Sequence, residues 1–149
     1  MPKNKILLER KVQNTVLRWL GKQGYSIPVE EAFFGEHGVD IRRKHWRYGR
    51  YWLVECKGDP DPQKVKNLGA RRESSFRTAL GQIVTRMKFI GRNHYSIALP
   101  ESSRFSLKRV PWNFAKKNQF SILIANNSER VTEYDWKSLR EIQKKTSKN

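Results

Sequence analysis

The sequence has one cysteine, three histidines, few acids and no long apolar run. Cys56 alone cannot form an intramolecular disulfide, and it rules out a zinc cage built from several thiolates. His37, His45 and His94 are not spaced as metal ligands, and His37, close enough to Asp40 to reach it, reads better as a plain loop residue. No segment approaches the ~18 consecutive apolar residues of a membrane-spanning helix. Residues 1–11 lack the apolar stretch of a signal peptide. An intracellular, soluble protein is therefore expected, cytoplasmic or associated with the nucleoid. The shortage of acids is matched by an excess of bases: 31 Lys and Arg stand against 14 Asp and Glu, a formal charge of +17. Such a field concentrates polyanions and speeds their capture, so nucleic acid is the first partner to consider. A ribosomal or merely supercharged protein is the plainer alternative.

The 149 residues suit one domain, without repeats or low-complexity segments. Apolar periodicity predicts a helix from Ile6 to about Gly24 and a strand over residues 25–34. Residues 39–46 and 50–57 read as two strands of a hairpin turning around Tyr48-Gly49. A long amphipathic helix is expected over residues 72–90, then a strand from His94 to Leu99. Residues 103–118 are helical in parts, with Pro111 opening a new turn. A buried strand from Phe120 to Ala125 and a helix from Tyr134 to about Lys144 close the chain. Residues 58–62, Gly-Asp-Pro-Asp-Pro, read as a turn, and residues 144–149 as a short frayed basic tail. This order gives an α/β domain with a central mixed sheet flanked by helices.

Three charged residues stand out against that pattern. Side chains alternate along a strand, so Glu55 and Lys57 share one face while Val54 and Cys56 take the other. Asp40 begins the preceding strand, and hairpin pairing brings it alongside them. Two carboxylates suit a hard divalent cation such as Mg²⁺, with Mn²⁺ as a possible substitute. A neighbouring ammonium can orient a water and stabilise charge developing on a phosphorane. The plain alternative is an amphipathic strand carrying a structural ion pair. On the first helix, Glu9 falls inside the apolar arc of Leu8, Val12, Val16, Trp19 and Leu20, pointed toward the core. It either meets a cation there or snorkels from a fraying turn. On the long helix, Gln82 flanks the core stripe on one ridge with Ser75 and Arg86, placed to touch a site rim and a phosphate, or simply to form a solvated shoulder.

Together, Gly38-Val39-Asp40, Glu55-Cys56-Lys57 and Gly81-Gln82-Ile83 resemble the motifs of the PD-(D/E)XK nuclease superfamily, with Val39 where the motif has proline. The resemblance spans about the first ninety residues and includes the order helix, three strands, helix, strand. It implies a restriction-endonuclease-like core and a metal-dependent endodeoxyribonuclease. Asp40, Glu55 and the Cys56 backbone carbonyl would hold the metal, with Glu9 as a further acid. Lys57 would serve the attacking water, and Gln82 would stand for the glutamine of several branches.

The DNA-binding surface is expected at the hairpin, where Arg42, Arg43, Lys44, Arg47 and Arg50 alternate with aromatic residues, helped by Ser75 and Arg86. Lys64, Lys66, Arg71 and Arg72 follow the acidic strand and can line the same cleft, whereas Lys108, Arg109, Lys116 and Lys117 form a patch that sequence leaves unplaced. One active centre per chain implies a homodimer or higher symmetric assembly for cutting both strands. A sequence-specific enzyme of restriction or homing type is favoured slightly by the basic hairpin. A Holliday-junction resolvase, an RNA-processing enzyme and a non-catalytic nucleic-acid-binding module remain alternatives.

Overall fold

The computed structural model describes residues 6–30, 40–87 and 92–147. Its elements run α1 (Glu9–Lys22), β1 (Ile27–Pro28), β2 (Ile41–Lys44), β3 (Arg50–Cys56), α2 (Leu68–Val84) and β4 (Arg92–Pro100). A 3₁₀ segment (Glu101–Lys108) follows, then α3 (Trp112–Asn118), β5 (Phe120–Ala125), β6 (Val131–Tyr134) and α4 (Trp136–Ser147). The six strands form one sheet in chain order. β1, β2 and β3 pair antiparallel, β3, β4 and β5 pair parallel, and β6 returns antiparallel on β5. The expected α/β architecture with a mixed sheet is what forms.

Two apolar layers hold the sheet. On one face Leu53, Ile97, Leu99, Ile122 and Ile124 pack with Phe76, Ala79 and Ile83 of α2 and Leu139 of α4. On the other, Val12, Val16 and Leu20 of α1 cover Ile41, Trp52, Val54, Cys56, Ala98 and Leu123. β3 and β5 are buried on both faces, which explains their near-continuous apolar sequence. Polar groups buried in the sheet pair with one another: Trp52 Nε1 donates to Ser96 Oγ at 2.9 Å, and the Ser96 and Ser121 hydroxyls lie 2.8 Å apart, whereas the buried Thr15 and Ser106 hydroxyls have no partner among the described residues.

Several expected boundaries move. The first strand is only Ile27–Pro28, and residues 31–39, which carry Gly38, Val39 and His37, lie outside the described residues. α2 starts four residues before Arg72, because the Asn67 side chain caps it by accepting the Ala70 N–H at 3.0 Å. It ends at Val84 rather than running to Ile90. Tyr134 closes β6, a strand the sequence pattern does not announce, and α4 begins behind it. Lys144 and Lys145 belong to α4 and not to a frayed tail. Among the described residues no helix is long and apolar enough to cross a membrane.

Candidate metal-dependent active site

β3 places its two charged residues by simple alternation. Leu53 faces α2 and Val54 faces α1, so Glu55 returns to the α2 side at the strand's carboxyl end. The register Ile41↔Val54 sets Asp40 beside Glu55, where β2 begins. Asp40 Oδ2 accepts the Cys56 N–H at 2.8 Å, so the carboxylate takes the place of the next ladder bond. In an extended residue the N–H and C=O point to the same side, and the Cys56 carbonyl therefore emerges beside Asp40. Lys57 turns its N–H the other way, to the Ala98 carbonyl at 3.0 Å. Open α/β sheets bind ligands outside the carboxyl ends of their strands, and this is such an end.

Glu9 reaches the same end from the other layer. The Leu7 N–H donates to Asp59 Oδ2 at 2.9 Å, and the Asp59 N–H donates back to the Leu7 carbonyl at 2.8 Å. The Ser102 hydroxyl donates to Asp59 Oδ1, and Arg72 Nε stands 4.0 Å from that oxygen. Asp59 thus ties together the start of α1, the segment after β3, the 3₁₀ segment and α2. Gly58 allows the close approach: a Cβ there would lie 2.1 Å from the Glu9 nitrogen and 2.5 Å from the Leu8 carbonyl carbon. Glu9 is exposed rather than turned into the core, yet it comes within electrostatic reach of Asp40 and Lys57. Partial burial, then the Asp40 charge, raise its carboxyl pKa, and Lys57 opposes them. Asp59 carries no signal in the sequence, where residues 58–62 read only as a turn.

Glu55 is 6% exposed. Burial, then the adjacent Asp40 carboxylate, push its carboxyl from 4.5 up to about 8, with Lys57 pulling the other way. The sign follows directly. Between about 4.5 and 8 the folded chain holds a proton that the unfolded chain releases, so the ion-free protein loses stability as pH rises through that window. Thermal unfolding in EDTA across this range should show a falling midpoint, and Glu55→Gln should flatten the fall. An unchanged slope in the variant would remove Glu55 as its cause.

The donor set fits a magnesium-like ion. The donors are hard oxygens on a paired aspartate and glutamate plus one backbone carbonyl, and their mutual repulsion is what a cation would relieve. Among the described residues no group of three or more His, Cys, Asp or Glu is arranged to hold a metal. Magnesium does not require one, since it takes one or two carboxylates and fills the rest with water and phosphate oxygen.

No protein family and no curated protein matches this chain.

Other candidates lie elsewhere. α2 starts at the acidic end, where Arg72 meets Asp59, Glu73 pairs with Arg109 at 2.6 Å and Phe76 meets Phe105. Gln82 lies ten residues beyond Arg72, about 15 Å further along the axis. It is exposed, its carbonyl accepts the Thr85 hydroxyl at 2.8 Å, and with Arg86 it belongs to the opposite end of the sheet. Ser75 is half-buried, one turn from Arg72. The hairpin tip is equally distant: five steps along β3 separate Arg50 from Glu55, about 17 Å. Arg42, opposite Leu53, stands nearest to Asp40 among the hairpin bases, and its Nε also donates to the Val29 carbonyl at 3.3 Å. Arg43 and Lys44 follow on β2, half-buried, and lead away from the acids. Arg47 and Arg50 are exposed at the tip. The unplaced basic patch divides: Arg109 joins Glu73 near the acidic end, while Lys116 and Lys117 sit just before β5, at the hairpin end.

Proposed function

We propose that the chain is a metal-dependent DNA endonuclease of the PD-(D/E)XK type, hydrolysing phosphodiester bonds at the carboxyl end of β3. The observation that carries this reading is the buried Glu55 side by side with Asp40, with Lys57 two residues on and the Cys56 carbonyl turned to the same edge. Asp40 and Glu55 would hold Mg²⁺, or Mn²⁺ in its place, with Glu9 as an outer acid. When bound, the ion supplies Lewis-acid polarisation of the phosphodiester. Lys57 holds the attacking water by hydrogen bond and offers its ammonium charge to the phosphorane oxygens as they become more negative. The Asp40–Cys56 bond keeps the aspartate in place, so little reorganisation is needed when substrate arrives. A field of +17 draws the polyanion in, and DNA is the intended one. Each chain carries one such centre, so cutting both strands calls for a homodimer or larger symmetric assembly.

The basic hairpin, whose Arg50 stands about 17 Å from Glu55, would grip DNA at a distance from the bond being cut, a placement that suits sequence-specific reading of duplex and, as the second reading, a structure-specific enzyme of the junction-resolving kind.

The test is incubation with duplex DNA, four-way junctions and RNA, each with Mg²⁺ or with EDTA. Cleavage of DNA, confined to the Mg²⁺ arm, is the expected result. Tight binding without cleavage of any polymer would instead make this a binding module. Binding in EDTA should weaken steeply with salt, because each neutralised phosphate releases counterions. If six or more phosphates are contacted, the loss between about 50 and 200 mM salt should be about 10³-fold.

A further inference from the structure

Resting on the DNA reading above, we propose that the β2–β3 hairpin tip is a base-stacking element. Trp46 takes the face of an unpaired or terminal base, so the preferred substrate carries a branch, a splayed segment or an end about five or more base pairs from the cut bond, at ~3.4 Å per pair.

Trp46 is the first support. It is 64% exposed, while the other four tryptophans are buried or half-buried. An indole gains much from burial, and Trp46 is exposed together with Tyr48 on the same turn, which makes an aromatic surface open to contact. The turn is well defined. His45 N–H donates to the Arg50 carbonyl at 2.9 Å, and its Nδ1 accepts the Arg47 and Tyr48 N–H groups at 3.1 and 3.3 Å. The Trp46 N–H itself donates to the Gly24 carbonyl at 2.9 Å, fastening the tip to the end of α1. Gly24 has φ +94, and a Cβ on it would meet His45 Nε2 at 2.3 Å, so glycine is required there. Behind the indole the His45 ring stacks at 6.1 Å and 23°. A turn fixed this way holds the indole's main chain in place, so little backbone freedom is lost when it binds.

Charge names the partner. Beside Trp46, the Tyr48 ring carries the guanidinium groups of Arg47 at 5.5 Å and Arg50 at 5.3 Å. Cations and exposed aromatic rings together are what a single strand or frayed end requires, phosphates for the one and base faces for the other. Inside continuous duplex every base face is covered by its neighbours, so Trp46 would have nothing to stack on. Discontinuous DNA supplies that face. Trp46 lies beyond Arg50, which itself stands about 17 Å from Glu55 along β3, so the discontinuity lies at least that far from the cut.

The experiment measures binding in EDTA, so that cleavage does not enter. Probes are a four-way junction, a splayed duplex and a relaxed closed-circular duplex, with 2-aminopurine at the branch of the first two. Trp46→Ala should weaken junction and splayed-duplex binding roughly tenfold, the loss of one base–aromatic stack. It should leave the circle unaffected, and Trp46→Phe should restore most of the loss. Quenching of 2-aminopurine should occur with wild type and Trp46→Phe but not with Trp46→Ala. Equal affinities of wild type and Trp46→Ala for all three probes would overturn the inference and leave the nuclease reading intact, as would an equal loss on the circle. Failure of the wild type to bind any of the DNAs at low salt would overturn both.

Discussion

Lys57→Ala is expected to lower single-turnover cleavage by about 10²–10³-fold, the usual loss when one stabilising donor is taken from a developing oxyanion. Affinity for the divalent ion should not fall in the same variant, because the ammonium is not a ligand and its removal relieves repulsion of the cation. Asp40→Asn should behave oppositely at the first step. It keeps an oxygen to accept the Cys56 N–H, so the fold should hold, but it removes a charged ligand and ion binding should weaken. Calorimetric titration with Mn²⁺ beside quenched-flow cleavage separates the two roles. If Lys57→Ala cuts at the wild-type rate, Lys57 has no part in the chemistry. If it stops binding the ion, its role is in assembling the site.

Gly58→Ala should be the most disruptive single-methyl change near the site. The new Cβ would stand 2.1 Å from the Glu9 backbone nitrogen, and backbone cannot swing aside as a flexible side chain can. Relieving the contact means displacing the start of α1 and straining the reciprocal Leu7–Asp59 bonds. The expected cost is about 1–3 kcal/mol, seen as a drop of roughly 3–10 °C in the unfolding midpoint. Ion affinity should fall too, because Glu9 moves with the helix. Gly81→Ala is the matching control. Nothing lies within 4 Å of the point its new methyl would occupy, and the residue sits inside α2, so a gain of about 0.5–1 kcal/mol is expected from helix propensity. Differential scanning calorimetry of the two variants checks both signs. A Gly58→Ala midpoint equal to wild type would show that α1 is not pressed against this turn.

The parts of the fold that sequence discloses are those whose burial is periodic and local. β3 and β5 announce themselves as apolar runs, and Asp40, Glu55 and Lys57 follow from strand alternation once a hairpin is assumed. β6 stays hidden because its residues, Val-Thr-Glu-Tyr, form a short half-exposed strand with no clean alternation. Its turn is closed by Asn126, whose Oδ1 accepts the N–H groups of Ser128 and Arg130, both at 3.0 Å, and whose main chain bonds to Glu129 and Arg130, while Glu129 adopts φ +60. Tyr134 passes for a helix start because the true cap, Asp135, stands next to it and accepts the Ser138 N–H at 3.0 Å. Gln82 shows a different gap. Helical periodicity gives the angle of a side chain about the axis but says nothing of which end of the sheet it occupies. Asp59 lies beyond any local reading, since its partners Leu7, Arg72 and Ser102 come from three separate segments.

The most direct test of the central claim compares purified wild type with Asp40→Asn on a mixed pool of random duplex and four-way junctions, with Mg²⁺ and with EDTA. The account predicts Mg²⁺-dependent DNA cleavage by wild type, none in EDTA, and none by Asp40→Asn, which should still bind DNA in EDTA as wild type does. Cleavage by Asp40→Asn at the wild-type rate, or equal cleavage by wild type in EDTA, would contradict it.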